Sequence, residues 1–303
     1  MKTVLALAAV TLAEATIGVF VKLTGDAVPI YTLNFYRVLF AALFLAVGMS
    51  TISGRFWRLP KDNLRDIVII GALVAAQISF FNIAMSLAPI ANVVIFWSVA
   101  PFFVFILSWL FLDEPAQRTH IAIFVVAIVG LVIARPLEGG NMLGNVIALG
   151  DGAIYAGLVT FMRHERNTES TNDVFWYMLV ATILLLPAVF IFGPGAVMAV
   201  SAHTLFGLEV PTLLWVIGLG VVSTGVAYMF ITIALQRISA NVYSLVDIVV
   251  SPVVAAVFGY LIFNEVPSTN LVFGGVLLLG SGFWLARTMV QDQPAEREQA
   301  TGS

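Results

Sequence analysis

Residues 91–115 read ANVVIFWSVAPFFVFILSWLFLDEP, and residues 240–267 read ANVYSLVDIVVSPVVAAVFGYLIFNEVP. Each stretch opens on Ala-Asn, runs apolar past a central proline, and closes on an acidic turn that ends in proline. The spacing from central proline to glutamate is the same in both, Pro101 to Glu114 and Pro252 to Glu265. Beyond the closing proline the match continues: Gly130 and Gly282 stand at one equal distance, Arg135 and Arg287 at another. A spanning helix needs about 20 mostly apolar residues, and each run meets that length. The chain therefore holds two copies of one membrane unit.

Composition agrees along the whole length. Of 303 residues 60% are hydrophobic and 10% charged, where a soluble domain carries about 25% charged. Mean hydropathy is +1.02, which forces apolar surface into lipid and excludes disorder and a basic nucleic-acid surface. The net charge of −3 points to no partner, and the lack of cysteine removes disulfides and thiolate chemistry. Ten apolar segments are expected, near 3–23, 29–49, 66–87, 91–112, 118–135, 143–162, 174–192, 212–235, 240–263 and 268–287. Runs such as Ile121–Ile133 do not alternate as barrel strands do. The expected fold is thus an all-α membrane protein with ten transmembrane helices.

Five spans per copy is an odd number, so the second copy enters the membrane inverted. The expected units are 1–137 and 138–290, two inverted five-helix repeats, followed by a disordered cytoplasmic tail at 291–303. That is the architecture of secondary transporters with a midplane site. Basic residues set the orientation. Lys2, Arg55, Arg58, Lys61, Arg65, Arg118, Arg163, Arg166, Arg237, Arg287 and Arg297 fall on one side, against Lys22 and Arg135 on the other. Both termini are expected to be cytoplasmic, in a bacterial inner membrane. A rival reading takes Ala13-Glu14-Ala15 as a signal-peptide cleavage site, leaving nine spans. Glu14 and the unbroken run Ile17–Val21 argue against it.

The pattern resembles the drug/metabolite transporter superfamily, and within it the EamA-type ten-helix transporters and their amino-acid exporters. The residues that carry the likeness are Lys22 closing the first span, Phe35-Tyr36-Arg37, and the unit from Asn82 to Asn92. Ala234 to Asn241, with Glu114 and Glu265, completes it. The resemblance implies the inverted repeat and small-metabolite export. It departs at Glu14-Ala15, where the family often has Trp-Gly.

Ionisable groups at membrane depth cost roughly 2.5–3.5 kcal/mol or more each and need a partner or a wet cavity. Glu14 and Arg37 fall at similar depth on antiparallel neighbouring spans. They are expected to approach each other, either as a structural ion pair or as contacts for a zwitterionic substrate. Asp151 with Tyr155, and Tyr243 with Asp247 and Ser251, form polar stripes at four-residue spacing. Thr224, Tyr228, Thr232 and Gln236 form another. Such stripes serve either as interhelical hydrogen-bond contacts or as a cavity wall. Gln77, Phe81, Trp97, Tyr155, Tyr228 and Tyr243 are further candidates for the pocket lining. Pro101 and Pro252 are candidate hinges, since each frees the carbonyl four residues earlier, at Trp97 and Ile248.

His120, His164 and His203 are isolated, so no metal is expected, and no P-loop or other cofactor motif appears. Arg163-His164-Glu165-Arg166 reads as a solvated loop. The expected function is secondary transport of small metabolites, amino acids foremost, by alternating access. Proton coupling would follow if one carboxylate holds a proton and a substrate ammonium by turns. An organic-cation or drug exporter of the same fold is the alternative, because three midplane acids face one arginine. An intramembrane aspartyl protease is a remote one, resting on Gly150-Asp151; no enzymatic activity is expected. The bilayer and a small-molecule substrate are the expected partners, without nucleic acid.

Overall fold

Proline and glycine divide the apolar runs into thirteen helical pieces among the described residues. The computed structural model describes residues 2–52, 63–88, 90–134, 142–164, 170–201, 209–264, 266 and 268–301. In chain order the helices are α1 Lys2–Thr24, α2 Ile30–Ile52, α3 Leu64–Leu87, α4 Ile90–Trp97 and α5 Ala100–Phe111. They continue as α6 Arg118–Ala134, α7 Met142–His164, α8 Ser170–Leu185 and α9 Pro187–Phe192. The last are α10 Thr212–Gly220, α11 Ala227–Leu235, α12 Ala240–Phe263 and α13 Thr269–Thr301. Among the described residues there is no strand, only a lone bridge between Val200 and Pro211.

Each interruption has a local cause. Pro101 lacks an N–H and its ring clashes one turn back, so α4 stops at Trp97 and α5 restarts at Ala100. Pro187 separates α9 from α8 in the same way. Pro252 does not: α12 runs through it unbroken. Between α10 and α11 the chain widens into a π-helical turn, Val221–Val226. The two acidic turns share one backbone device. Asp113 and Asn264 both adopt φ 54, a left-handed conformation that Asn and Asp tolerate at helix ends.

Among the described residues, eight helical runs are long and apolar enough to cross a membrane. Two shorter apolar helices accompany them, Arg118–Ala134 and Thr269–Leu285. Helix α13 is drawn to Thr301; Glu, Gln, Arg and Ala in its last part are good helix formers. Glu265, Arg135, His203, Arg55, Arg58, Lys61 and Arg166 lie outside the described residues.

Packing runs between the halves more than within them. Helix α1 packs on α10, α11 and α12, and α7 packs on α3, α4 and α5. Helix α2 rests on α8 and α10, α3 on α8, and α6 on α13. The main core joins Val38 and Ala41 of α2 and Ile70 of α3 to Leu158 of α7, Met178 of α8 and Leu235 of α11. Helices α6 and α13 cross at two glycines: a Cβ on Gly274 would lie 2.3 Å from the Gly130 carbonyl oxygen. The outer face is apolar. Phe190 is 81% exposed, and Trp109, Phe111, Phe273 and Phe283 also point outward, as lipid contact requires.

Candidate functional site

A cavity of about 810 Å³ lies among α1, α2, α3, α4, α7, α11, α12 and α13. Its wall includes Glu14, Arg37, Gln77, Phe81, Trp97, Tyr155, Tyr228, Tyr243 and Asp247, so nine of the ten residues singled out from sequence meet there. The tenth, Asp151, does not reach it.

Asp247 is the centre of the polar end. The Tyr155 hydroxyl donates to its Oδ2, and the Ser251 hydroxyl to its Oδ1 at 3.0 Å. The Glu14 carboxyl from α1 stands beside it. Among the described residues, Glu14 Oε2, the Tyr243 hydroxyl and the Trp97 indole nitrogen are buried with no hydrogen-bond partner. Trp97 meets Tyr155 edge-on at 5.2 Å between ring centroids, and Phe81 meets Trp97 at 6.3 Å. These rings form an apolar wall next to the acids.

The expected Glu14–Arg37 ion pair is absent. Both side chains border the cavity and attract each other, but Arg37 Nε donates to Thr224 Oγ1 at 2.7 Å and Glu14 faces Asp247. The reason is helix placement. Helix α1 packs on α10–α12 rather than on its sequence neighbour α2, and Thr16 reaches Ser223 at 2.6 Å on that side. The π-helical turn thus presents Ser223 to α1 and Thr224 to α2.

Asp151 corrects the other expectation. It is fully buried and sits behind Gln77, whose Nε2 donates to Oδ2 at 3.3 Å. Gly152 explains the turn away from the cavity. A Cβ there would lie 3.0 Å from the Trp97 carbonyl oxygen, a tight contact that the glycine avoids as α7 presses against the carbonyl that Pro101 frees. That contact points Asp151 toward α3. The freed carbonyl is covered by helix backbone, not opened to the cavity. Gly152 carried no motif that could have marked it.

Next to Met162 of the cavity wall lies a polar cluster around Arg163, which sequence reading had placed in a solvated loop. Arg163 is only 9% exposed. Its Nε and Nη2 donate to Glu114 Oε1 at 2.8 and 2.6 Å, and its Nη1 to the Leu235 carbonyl at the end of α11. Glu114 Oε2 accepts from the Ala240 N–H at 3.2 Å, and its backbone carbonyl from Asn241 Nδ2 at 2.8 Å. The guanidinium therefore meets the carbonyl end of one helix, and the carboxylate the N–H end of the next, as the helix dipole favours. Met162, just before Arg163, lines the cavity. Elsewhere, residues 193–201 strap α1 and α2. Ser201 donates to the Leu23 carbonyl at 2.6 Å, Ala196 to the Ala27 carbonyl at 2.7 Å, and Tyr36 to the Pro194 carbonyl at 3.1 Å. Lys22 lies there over the Phe263 ring.

Comparison with known proteins follows the same division of the chain. The EamA-like transporter family matches residues 1–135 and 142–287. A riboflavin transporter of Brucella anthropi is 27% identical over 71% of this chain and 74% of its own. A pseudopaline exporter of Pseudomonas aeruginosa is 25% identical over 90% and 92%. A solved crystal structure superimposes with a TM-score of 0.76 at 19% identity, over 94% of this chain and 98% of the other. The chain belongs to the EamA-like transporter family, and its apolar helices make it an integral membrane protein.

Proposed function

We propose that this EamA-family member is a secondary transporter that exports small metabolites, amino acids foremost, by alternating access through the cavity around Asp247. The observation that carries the reading is a polar-ended, aromatic-walled cavity built by helices of both halves, with the Glu114–Arg163 cluster next to Met162 of its wall. A site between the two halves is what alternating access requires, and in this reading the cluster is the seal at one end.

The reading includes ten crossings in two inverted repeats. The ends of α5 and α7 meet through Glu114 and Arg163. Since α7 is 23 residues long, it starts on the far side, and α6 has to carry the chain back. Its 17 residues rise about 25 Å, close to a hydrocarbon core of about 30 Å. The apolar part of α13 lies along α6 through Gly130 and Gly274 and so spans the same depth. Packing supports the repeat as well. Helix α1 rests on α10–α12 as α7 rests on α3–α5, α2 on α10 as α8 on α3, and α6 and α13 on each other. The paired left-handed residues Asp113 and Asn264 agree. The excess of basic residues assigns the sealed end and both termini to the cytoplasmic side of a bacterial inner membrane, which leaves the cavity facing outward.

Glu14 and Asp247 supply a place where a proton or a substrate ammonium can sit by turns, with Tyr155, Ser251, Tyr243, Tyr228 and Arg37 around them. Proton-coupled export follows from that exchange. The same acid pair favours the second reading, an organic-cation exporter. Uptake of a radiolabelled amino-acid panel and of a quaternary ammonium probe into proteoliposomes, with and without a pH gradient, separates them. Amino-acid flux that rises with the gradient supports the first reading. Flux of the quaternary cation alone supports the second, and no flux of either overturns both.

A further inference from the structure

The acid pair is one half of the cavity's polar chemistry, and α2 holds the other. Asn34 and Arg37 are three residues apart on α2, so they share a face, and both line the cavity. Asn34 is 5% exposed and its Nδ2 has no hydrogen-bond partner among the described residues. Arg37 spends only Nε on the protein, on Thr224. Among the described residues its two Nη nitrogens make no hydrogen bond, so its fork faces the cavity unfilled. A buried amide and a guanidinium fork left unsatisfied on one helix face are costly unless a ligand meets them.

We propose that Asn34 and Arg37 form a carboxylate-binding half-site, with Thr224 as the positioning residue that aims the guanidinium from the π-helical turn. This rests on the reading of the cavity as a transport site and narrows its substrate to zwitterions. The guanidinium takes a carboxylate bidentately, Asn34 adds a third donor, and Glu14 with Asp247 takes the ammonium. A phosphate dianion is disfavoured, because two acidic side chains face it across the same low-dielectric space. The rings of Phe81, Trp97 and Tyr155 take the apolar body. Thr224 suits its role because Gly220 lets α2 approach: a Cβ on Gly220 would lie 2.8 Å from the Arg37 carbonyl oxygen.

The test is equilibrium binding to the purified full chain in detergent, read by calorimetry, with three probes of one shape: L-phenylalanine, L-phenylalaninamide and 3-phenylpropionate. The wild type should bind phenylalanine about ten-fold or more tighter than either analogue, since each lacks one charged contact. Arg37→Gln should weaken phenylalanine and 3-phenylpropionate about ten-fold and leave phenylalaninamide little changed, so that the preference for a carboxylate disappears. Thr224→Val keeps every ligand-facing atom and guards against a misfolded Arg37 variant. It should reduce the same preference about three-fold. Equal wild-type binding of phenylalanine and its amide, no binding of any probe, or an unchanged preference in folded Thr224→Val and Arg37→Gln protein would each overturn the half-site. Failure of the transport reading looks different: the preference persists in detergent while proteoliposomes show no flux.

Discussion

The end of the molecule around Glu114 and the cavity around Asp247 use similar residues in opposite ways. At the sealed end, Arg163, Glu114, Asn241 Nδ2 and the ends of α11 and α12 bond to one another, with Asn241 Oδ1 left without a partner among the described residues. In the cavity, Glu14 Oε2, the Tyr243 hydroxyl, Trp97 Nε1 and Asn34 Nδ2 are left over. A seal is stable when its polar groups meet each other, whereas a binding site needs groups that wait for a ligand. Charge inside a membrane protein thus identifies function only once its partners are known.

The sharpest break of this contrast is Arg163→Met. It strands the Glu114 carboxylate in a buried cluster and should cost about 3–5 kcal/mol, seen as a lower unfolding midpoint in detergent. The double variant Arg163→Met with Glu114→Leu should recover much of that loss, because no lone charge remains. An unchanged midpoint for the single variant would mean that the cluster does not hold the helices together.

Gly152→Val comes next. Its side chain would meet the Trp97 carbonyl and push α7 from α4, at about 1–3 kcal/mol for overpacking, again read by thermal unfolding. Asp247→Asn sharpens the other side of the contrast. It should leave the midpoint near wild type while lowering transport about ten-fold, since the Asn oxygen accepts from one of the Tyr155 and Ser251 hydroxyls and its amide N–H donates to the other, but it holds no charge for an ammonium. Asp151→Asn, behind Gln77, should lower transport less. Equal losses in the two would remove the distinction between cavity wall and second layer. The smallest effect belongs to Thr232→Val. Among the described residues that hydroxyl bonds only the Tyr228 carbonyl of its own helix, at 2.9 Å, and the change should stay within about 0.5 kcal/mol.

Much of this was legible in the residues. The shared spacing from Pro101 to Glu114 and from Pro252 to Glu265 announced two related units, and the family match falls on the same two stretches. The polar stripe Tyr243, Asp247 and Ser251 lies on one wall because four-residue spacing fixes a helix face. The same rule failed for Asp151 and Tyr155: they share a face, but a face is wide, and Gly152 against Trp97 decides which part of it meets the cavity. Asn34 was missed as a site residue, because a single polar residue in an apolar helix carries no pattern; Thr224 stood in a polar stripe, but its pairing with Arg37 did not show there.

Hydropathy, breaks and repeats are properties of neighbours along the chain, so the sequence alone determined an apolar helical membrane protein in two related units with acids and an arginine at depth. Which helix lies beside which is a matter of side-chain fit between segments far apart. Only the tertiary structure decided that Arg37 meets Thr224, that Tyr155 meets Asp247, and that Arg163 leaves the solvent to bond Glu114 and Leu235. Arg37–Thr224 and Arg163–Glu114 join the two halves, and Tyr155–Asp247 and Arg163–Leu235 join distant helices of the second half, in each case farther apart than local periodicity reaches.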